Sequence, residues 1–119
     1  MKLSAGQVVI VDWRDALPKE PNKRRPAIVV EDTDLFDPAY PNAILVPLSD
    51  DAELALGDLS LALMPNSRNG LKKESYALAH HVTTVSKRRI TVTEFHVTTK
   101  ELAEIRARIA FAVGLDIPR

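Results

Sequence analysis

The segment Arg24-Arg25-Pro26-Ala27-Ile28-Val29-Val30 limits the fold more than any other part of the chain. Its apolar, β-branched stretch reads as a buried strand. Pro26 fixes φ and donates no hydrogen bond, so it suits the first residue of a strand or an edge. Proline also drives the residue before it into an extended conformation. Arg25 is therefore expected on a stiff element at the rim of a sheet, where a guanidinium can grip a phosphate or a carboxylate. A solvated strand end looks the same in sequence, so its partners must decide.

Similar runs recur. Gln7-Val8-Val9-Ile10-Val11-Asp12-Trp13, bounded by Gly6, reads as another strand. Ala43-Ile44-Leu45-Val46 is a third, expected to stop at Pro47, with residues 48–51 leaving the sheet. Residues 59–64 form a Leu-rich candidate, and residues 75–85 read as one strand with Tyr76, Leu78, Val82 and Val85 in the core. Residues 90–95 alternate threonine and glutamate with apolar side chains, as a strand with one wet face does. Polar, Pro-punctuated segments over 14–24, 32–42 and 65–70 separate these runs. Thr98 and Glu101 then offer a capping box. Leu102, Ile105, Ile109, Ala112 and Val113 follow at helical spacing, and Gly114 is placed to stop the helix. The pattern predicts an α+β, mainly β domain over residues 1–119: a small antiparallel sheet or partial barrel closed by a C-terminal helix.

At 119 residues and 45% hydrophobic content, the chain is the size of one globular domain. No apolar run is long enough to cross a bilayer and residues 1–6 carry no hydrophobic signal region, so a cytoplasmic protein without a membrane role is expected. With no cysteine there is no disulfide and no thiolate metal site. Sixteen basic residues cancel sixteen acidic ones, which argues against tight, nonspecific duplex binding. The charges are segregated, with basic clusters at 19–25 and 87–89 and acidic ones at 31–37 and 50–53. Such local patches still permit a focused anion site.

Two further features stand at strand ends. Ser49 follows Val46-Pro47-Leu48, where its hydroxyl can bond a phosphate oxygen or cap its own turn. His80-His81 lies within the expected strand 75–85, where neighbouring side chains face opposite ways, so one is expected in a groove and one buried. Imidazole is suited to moving protons near neutral pH. His96 is the only other histidine and no acidic residue stands at ligand spacing to it, so no metal site is expected. Together, a guanidinium, a hydroxyl and an imidazole meet the needs of RNA cleavage through its own 2′-hydroxyl. That reaction requires a base, an acid for the 5′-oxygen and positive charge on the crowded phosphate, and in principle no metal or other cofactor.

The blocks Gly6 to Asp12, Arg25 to Val30, Val46 to Ser49 and Tyr76 to Val82 occur in the order and spacing of the MazF/PemK toxins, and the chain resembles that family over nearly its whole length. The resemblance implies an SH3-like barrel with a C-terminal helix, a homodimer, and a sequence-selective, metal-independent endoribonuclease. Its substrate would be single-stranded RNA, its products would carry a 2′,3′-cyclic phosphate and a 5′-hydroxyl, and a cognate antitoxin would control it. Arg25 matches the family's catalytic arginine, and Ser49 stands where threonine is usual. His80-His81 replaces a common Asp-Gln pair, and Leu78 stands where one branch has a second arginine. On this reading Arg25, Ser49 and His80 are catalytic: Arg25 stabilises the phosphorane or also protonates the leaving oxygen, Ser49 binds the phosphate, and His80 orients or deprotonates the 2′-hydroxyl. Lys23, Arg24, His81, Lys87 and Arg88 would bind RNA, with Arg89 in the same basic cluster. A gyrase-inhibiting toxin of the CcdB type shares this barrel and needs no catalysis, and a degenerate barrel that only binds RNA or antitoxin is a further alternative.

Overall fold

The computed structural model describes residues 2–13 and 24–115. Of the expected loop over 14–24, residues 14–23, including Lys23, lie outside the described residues, as does the tail beyond Leu115, while Arg24 already belongs to a strand. Among the described residues seven strands and one α-helix follow in order: β1 Gln7–Asp12, β2 Arg24–Val29, β3 Asn42–Ser49, β4 Ser60–Leu63, β5 Ser75–Leu78, β6 Thr83–Ser86, β7 Ile90–His96 and α1 Thr99–Ala112. All pairings are antiparallel, and the spatial order is β4-β5-β3-β2-β1-β7, with β6 also on β3. Among the described residues β4 and β7 end the path without pairing to each other, so the sheet curves in barrel fashion but is not closed by hydrogen bonds.

The central strands bury both faces, which is why they read as unbroken β-branched runs. Val8, Ile28, Val46 and Leu48 pack on one side with Leu102 and Ile105 of α1. Val9, Val11, Ala27, Val29 and Leu45 pack on the other with Val85 and Ile90. Alternation along each strand assigns neighbours to opposite cores.

Three expectations need correction. Pro47 does not end β3, which runs on to Ser49. On one flank Pro47 pairs with Ala27 of β2. On the other, β6 occupies residues 42–45 and β5 residues 48–49, so Pro47 falls where β3 changes partner and its missing N–H is tolerated. Similarly, Pro26 lies two residues inside β2, just beyond the last β2–β3 pair. Residues 75–85 are not one strand: a 3-10 turn at Ala79–His81 separates β5 from β6. Between Leu48↔Ala77 and Leu45↔Thr83, β3 advances three residues while its partner advances six, so three are extruded.

The capping box forms as expected, with Glu101 N donating to Thr98 Oγ1 (3.0 Å) and Thr98 N to Glu101 Oε1 (2.9 Å). Leu102 and Ile105 are buried and Ile109 packs on the same core, but Ala112 and Val113 project outward. Two arginines fasten the helix instead. Arg106 donates to the carbonyls of Val30 and Glu31 (2.9 and 3.0 Å), and Arg108 to that of Ser60 (3.3 Å).

Gly70, with φ +65°, ends a tight turn against the Phe95 ring, and an added Cβ would lie 2.5 Å from that ring. Left-handed backbone and steric overlap together predict that Gly70→Ala costs roughly 2–4 kcal/mol. Urea unfolding checks this, and an unchanged midpoint would show the ring yields freely.

Candidate active site

The β2–β3 register fixes how the site is built. Pairing runs from Val29↔Leu45 to Ala27↔Pro47 and stops there. Two steps further, the same register sets Arg25 opposite Ser49, and directly opposed residues share a face. Beyond the two prolines the strands part: Arg25 stays with β1, opposite Val11, while Ser49 turns to β5, opposite Tyr76. The parting leaves a gap at the sheet's end, and both side chains line it.

A cleft of about 660 Å³ lies there, lined by Trp13, Arg25, Ser49, His81 and Arg89, with Asp50 and Asp51 on its rim. Ser49 Oγ accepts from Asp51 N at 3.1 Å, so it caps its own turn. A hydroxyl that accepts in this way still has its proton to donate. Capping and ligand binding are thus compatible for this residue.

The extruded turn decides the histidines. On a strand His80 and His81 would diverge, whereas on the 3-10 turn their rings meet edge to face with centroids 4.4 Å apart. It is His81 that lines the cleft with Arg25 and Ser49; His80 does not. His80 is half-buried, and its Nδ1 has no hydrogen-bond partner among the described residues. The His81 imidazole titrates below the usual histidine value, chiefly because burial disfavours its charged form and secondarily because of His80. A neutral ring with an available lone pair is the form that accepts a proton.

The basic residues divide. A 3-10 turn at Lys87–Arg89 points successive side chains about a third of a turn apart. Arg89 therefore enters the cleft, while Lys87 donates to the carbonyl of Pro38 (3.1 Å), in a different hollow, and exposed Arg88 lines neither. Arg24, on the opposite sheet face from Arg25, donates to Thr91 Oγ1 (3.3 Å) and borders a second cleft. Sequence reasoning overlooked Trp13, Asp50 and Asp51. Trp13 was nonetheless legible, because it shares strand parity with Val11, the partner of Arg25. Among the described residues no three His, Asp or Glu side chains gather as a metal site would require, and no helix is long and apolar enough to cross a membrane.

The sequence profile of a family described as PemK-like, MazF-like toxin of type II toxin–antitoxin system matches residues 4–113. The chain belongs to this family. A Deinococcus radiodurans MazF has the same fold, with a TM-score of 0.74 at 20% identity over 97% of this chain and 99% of that one. A mycobacterial endoribonuclease gives 0.76 at 19% identity over 99% and 97%. A mycobacterial endoribonuclease in complex with its cognate antitoxin gives 0.70 at 20% identity over 98% of each chain. Comparison with curated protein sequences finds no match. The PemK-like profile spans the two prolines, Ser49 and both histidines, so the parted strand ends lie inside the family domain.

A lowered His81 value has a defined sign for stability. The unfolded chain takes up this proton more readily than the folded one, so the His81 contribution to stability falls as pH drops through the ordinary histidine range near 6.5. An NMR titration should find His81 protonating below that value. Replacing His80 with glutamine should raise it only part of the way, since burial is the larger cause.

Proposed function

We propose that this chain is a toxin that cuts single-stranded RNA, including mRNA, sequence-selectively through the RNA's own 2′-hydroxyl. The observation that carries the reading is the cleft shared by Arg25, Ser49 and His81, within a MazF/PemK family domain. His81 takes the proton of the 2′-hydroxyl as the 2′-oxygen bonds to phosphorus. The bond from phosphorus to the 5′-oxygen then breaks, and water in the open cleft supplies that oxygen's proton. The products carry a 2′,3′-cyclic phosphate and a 5′-hydroxyl. Arg25 faces the non-bridging oxygens, where negative charge accumulates, and Ser49 donates its hydroxyl proton to one of them. His80 acts through ring contact with His81, as a positioning residue rather than the base.

Because Arg25 supplies the positive charge, the reaction needs no metal. The reading includes a homodimer acting in the cytoplasm and held by a cognate antitoxin. The antitoxin is supported by the family's description as a type II system toxin and by the fold neighbour described as an endoribonuclease in complex with its cognate antitoxin.

Purified protein incubated with single-stranded RNA and a chelator should still yield cyclic-phosphate ends. Arg25→Ala should lower kcat roughly 10²–10³-fold, the scale for losing one donor to a developing oxyanion. His81→Ala should remove the acid limb of the rate profile, whereas His80→Ala should move that limb to higher pH by relieving charge repulsion on His81. Undiminished cleavage by Arg25→Ala would sink the mechanism. Gyrase inhibition with intact RNA would replace it by a non-catalytic toxin.

A further inference from the structure

The sheet's open end carries a second cleft of about 470 Å³, on the face opposite the first. The two meet at Arg25, Leu48, Ser49 and Asp50, so the parted strand ends form a saddle between them. Arg24, Lys72 and Lys73 border the second cleft, and Pro26, Leu71 and Phe95 supply an apolar lining. Cations above an apolar, partly aromatic floor are what a single nucleic-acid strand requires: backbone phosphates on the charges and a base on the floor.

The lysine loop is held in place. Asn69, 2% exposed, donates through Nδ2 to the carbonyl of Met64 (2.9 Å). Its Oδ1 accepts from the backbone N–H groups of Asn66 and Leu71 (3.1 and 3.0 Å). Gly70 lies against Phe95, which joins this loop to the floor of the cleft. Lys73 is 3.7 Å from Asp50, but both side chains are more than half exposed, so the pair is cheap to separate. Lys72 has no carboxylate within ion-pair distance among the described residues.

We propose that this second cleft, with Lys72 and Lys73 as its phosphate contacts, binds the stretch of single-stranded RNA that flanks the cleaved linkage. This rests on the ribonuclease reading above. The strand crosses the saddle with one phosphate at Arg25 and Ser49. Its neighbours descend toward Lys72 and Lys73, displacing Asp50 from Lys73. An acidic protein segment would meet the same cations, but the continuity with Arg25 and the apolar floor favour a nucleotide.

The test compares a long mixed-sequence RNA with the dinucleoside monophosphate of the linkage that wild type cuts in it. Wild type should favour the long strand by more than tenfold in kcat/KM at low salt. In Lys72→Ala/Lys73→Ala that advantage should shrink several-fold through KM. The slope of log kcat/KM against log salt should also fall by about 1.4, since each phosphate contact on a single strand contributes about 0.7. Lys72→Arg/Lys73→Arg should restore both, because charge and not lysine is required. A long-strand advantage and salt slope that survive the double alanine variant, with cleavage intact, would overturn the proposal and leave the ribonuclease reading standing. They would also point to a protein partner for this surface. Wild type that cuts neither substrate would overturn both.

Discussion

Everything at the open end of the sheet depends on β2 and β3 ceasing to pair at Ala27↔Pro47. Pro26 would pair next with Leu48 but has no N–H to give it, so continuing the register would leave an acceptor without a donor; Pro47 removes its donor on the other flank, where β3 passes from β6 to β5. The strands separate at little cost because each has another partner waiting: β1 for Arg25 and β5 for Ser49. A guanidinium and a hydroxyl that would be neighbours on a closed ladder thus become the two walls of a cleft. Their positions are set by backbone pairing on rigid strands, which is the support a functional constellation needs.

The same departure produces the histidine turn. Because β3 exchanges β6 for β5 within a few residues, the chain linking those strands has more length than β3 can match. The excess is the 3-10 turn that carries both imidazoles. One irregularity in β3 therefore supplies the opening, the residues at its mouth and the ring that faces them. The charge balance follows the same local logic. A chain with as many acids as bases has no global attraction for a polyanion. Arg25 and Arg89 line one cleft, and Arg24, Lys72 and Lys73 the other, so positive charge is concentrated where the strands part.

Much of this was readable from the residues. Arg25 before Pro26, and Ser49 after Pro47, mark the strand ends, and the β-branched runs between them fix two-sided burial. The capping box over Thr98 and Glu101 is local chemistry and formed as read. The break at Ala79–His81 was not legible, because no glycine or proline marks it. Leu78, Val82 and Val85 continue an apolar pattern through it, and the cause lies in how a distant strand changes partners. For the same reason the sequence left open which histidine faces the groove; in the fold it is His81 that lines the cleft. The Lys87–Arg89 cluster shows a related limit: composition locates charge along the chain, but a 3-10 turn sends adjacent cations in different directions.

An imidazole rather than a carboxylate at the cleft has a physical consequence for a site proposed to receive RNA. A carboxylate near a phosphodiester repels it in the ground state, and Arg25 would have to offset that repulsion before doing anything for the transition state. A neutral imidazole adds no such charge. Modest desolvation of this largely exposed ring and the nearby His80 both favour the neutral form. In the proposed reaction, His81 becomes cationic as it accepts the 2′-hydroxyl proton, at the moment the phosphate's charge is greatest. Attraction between base and phosphorane then grows along the reaction coordinate, and interactions stronger in the transition state than in the ground state are the ones that accelerate the step. A histidine at position 81 is therefore chemically coherent with the cleft around it.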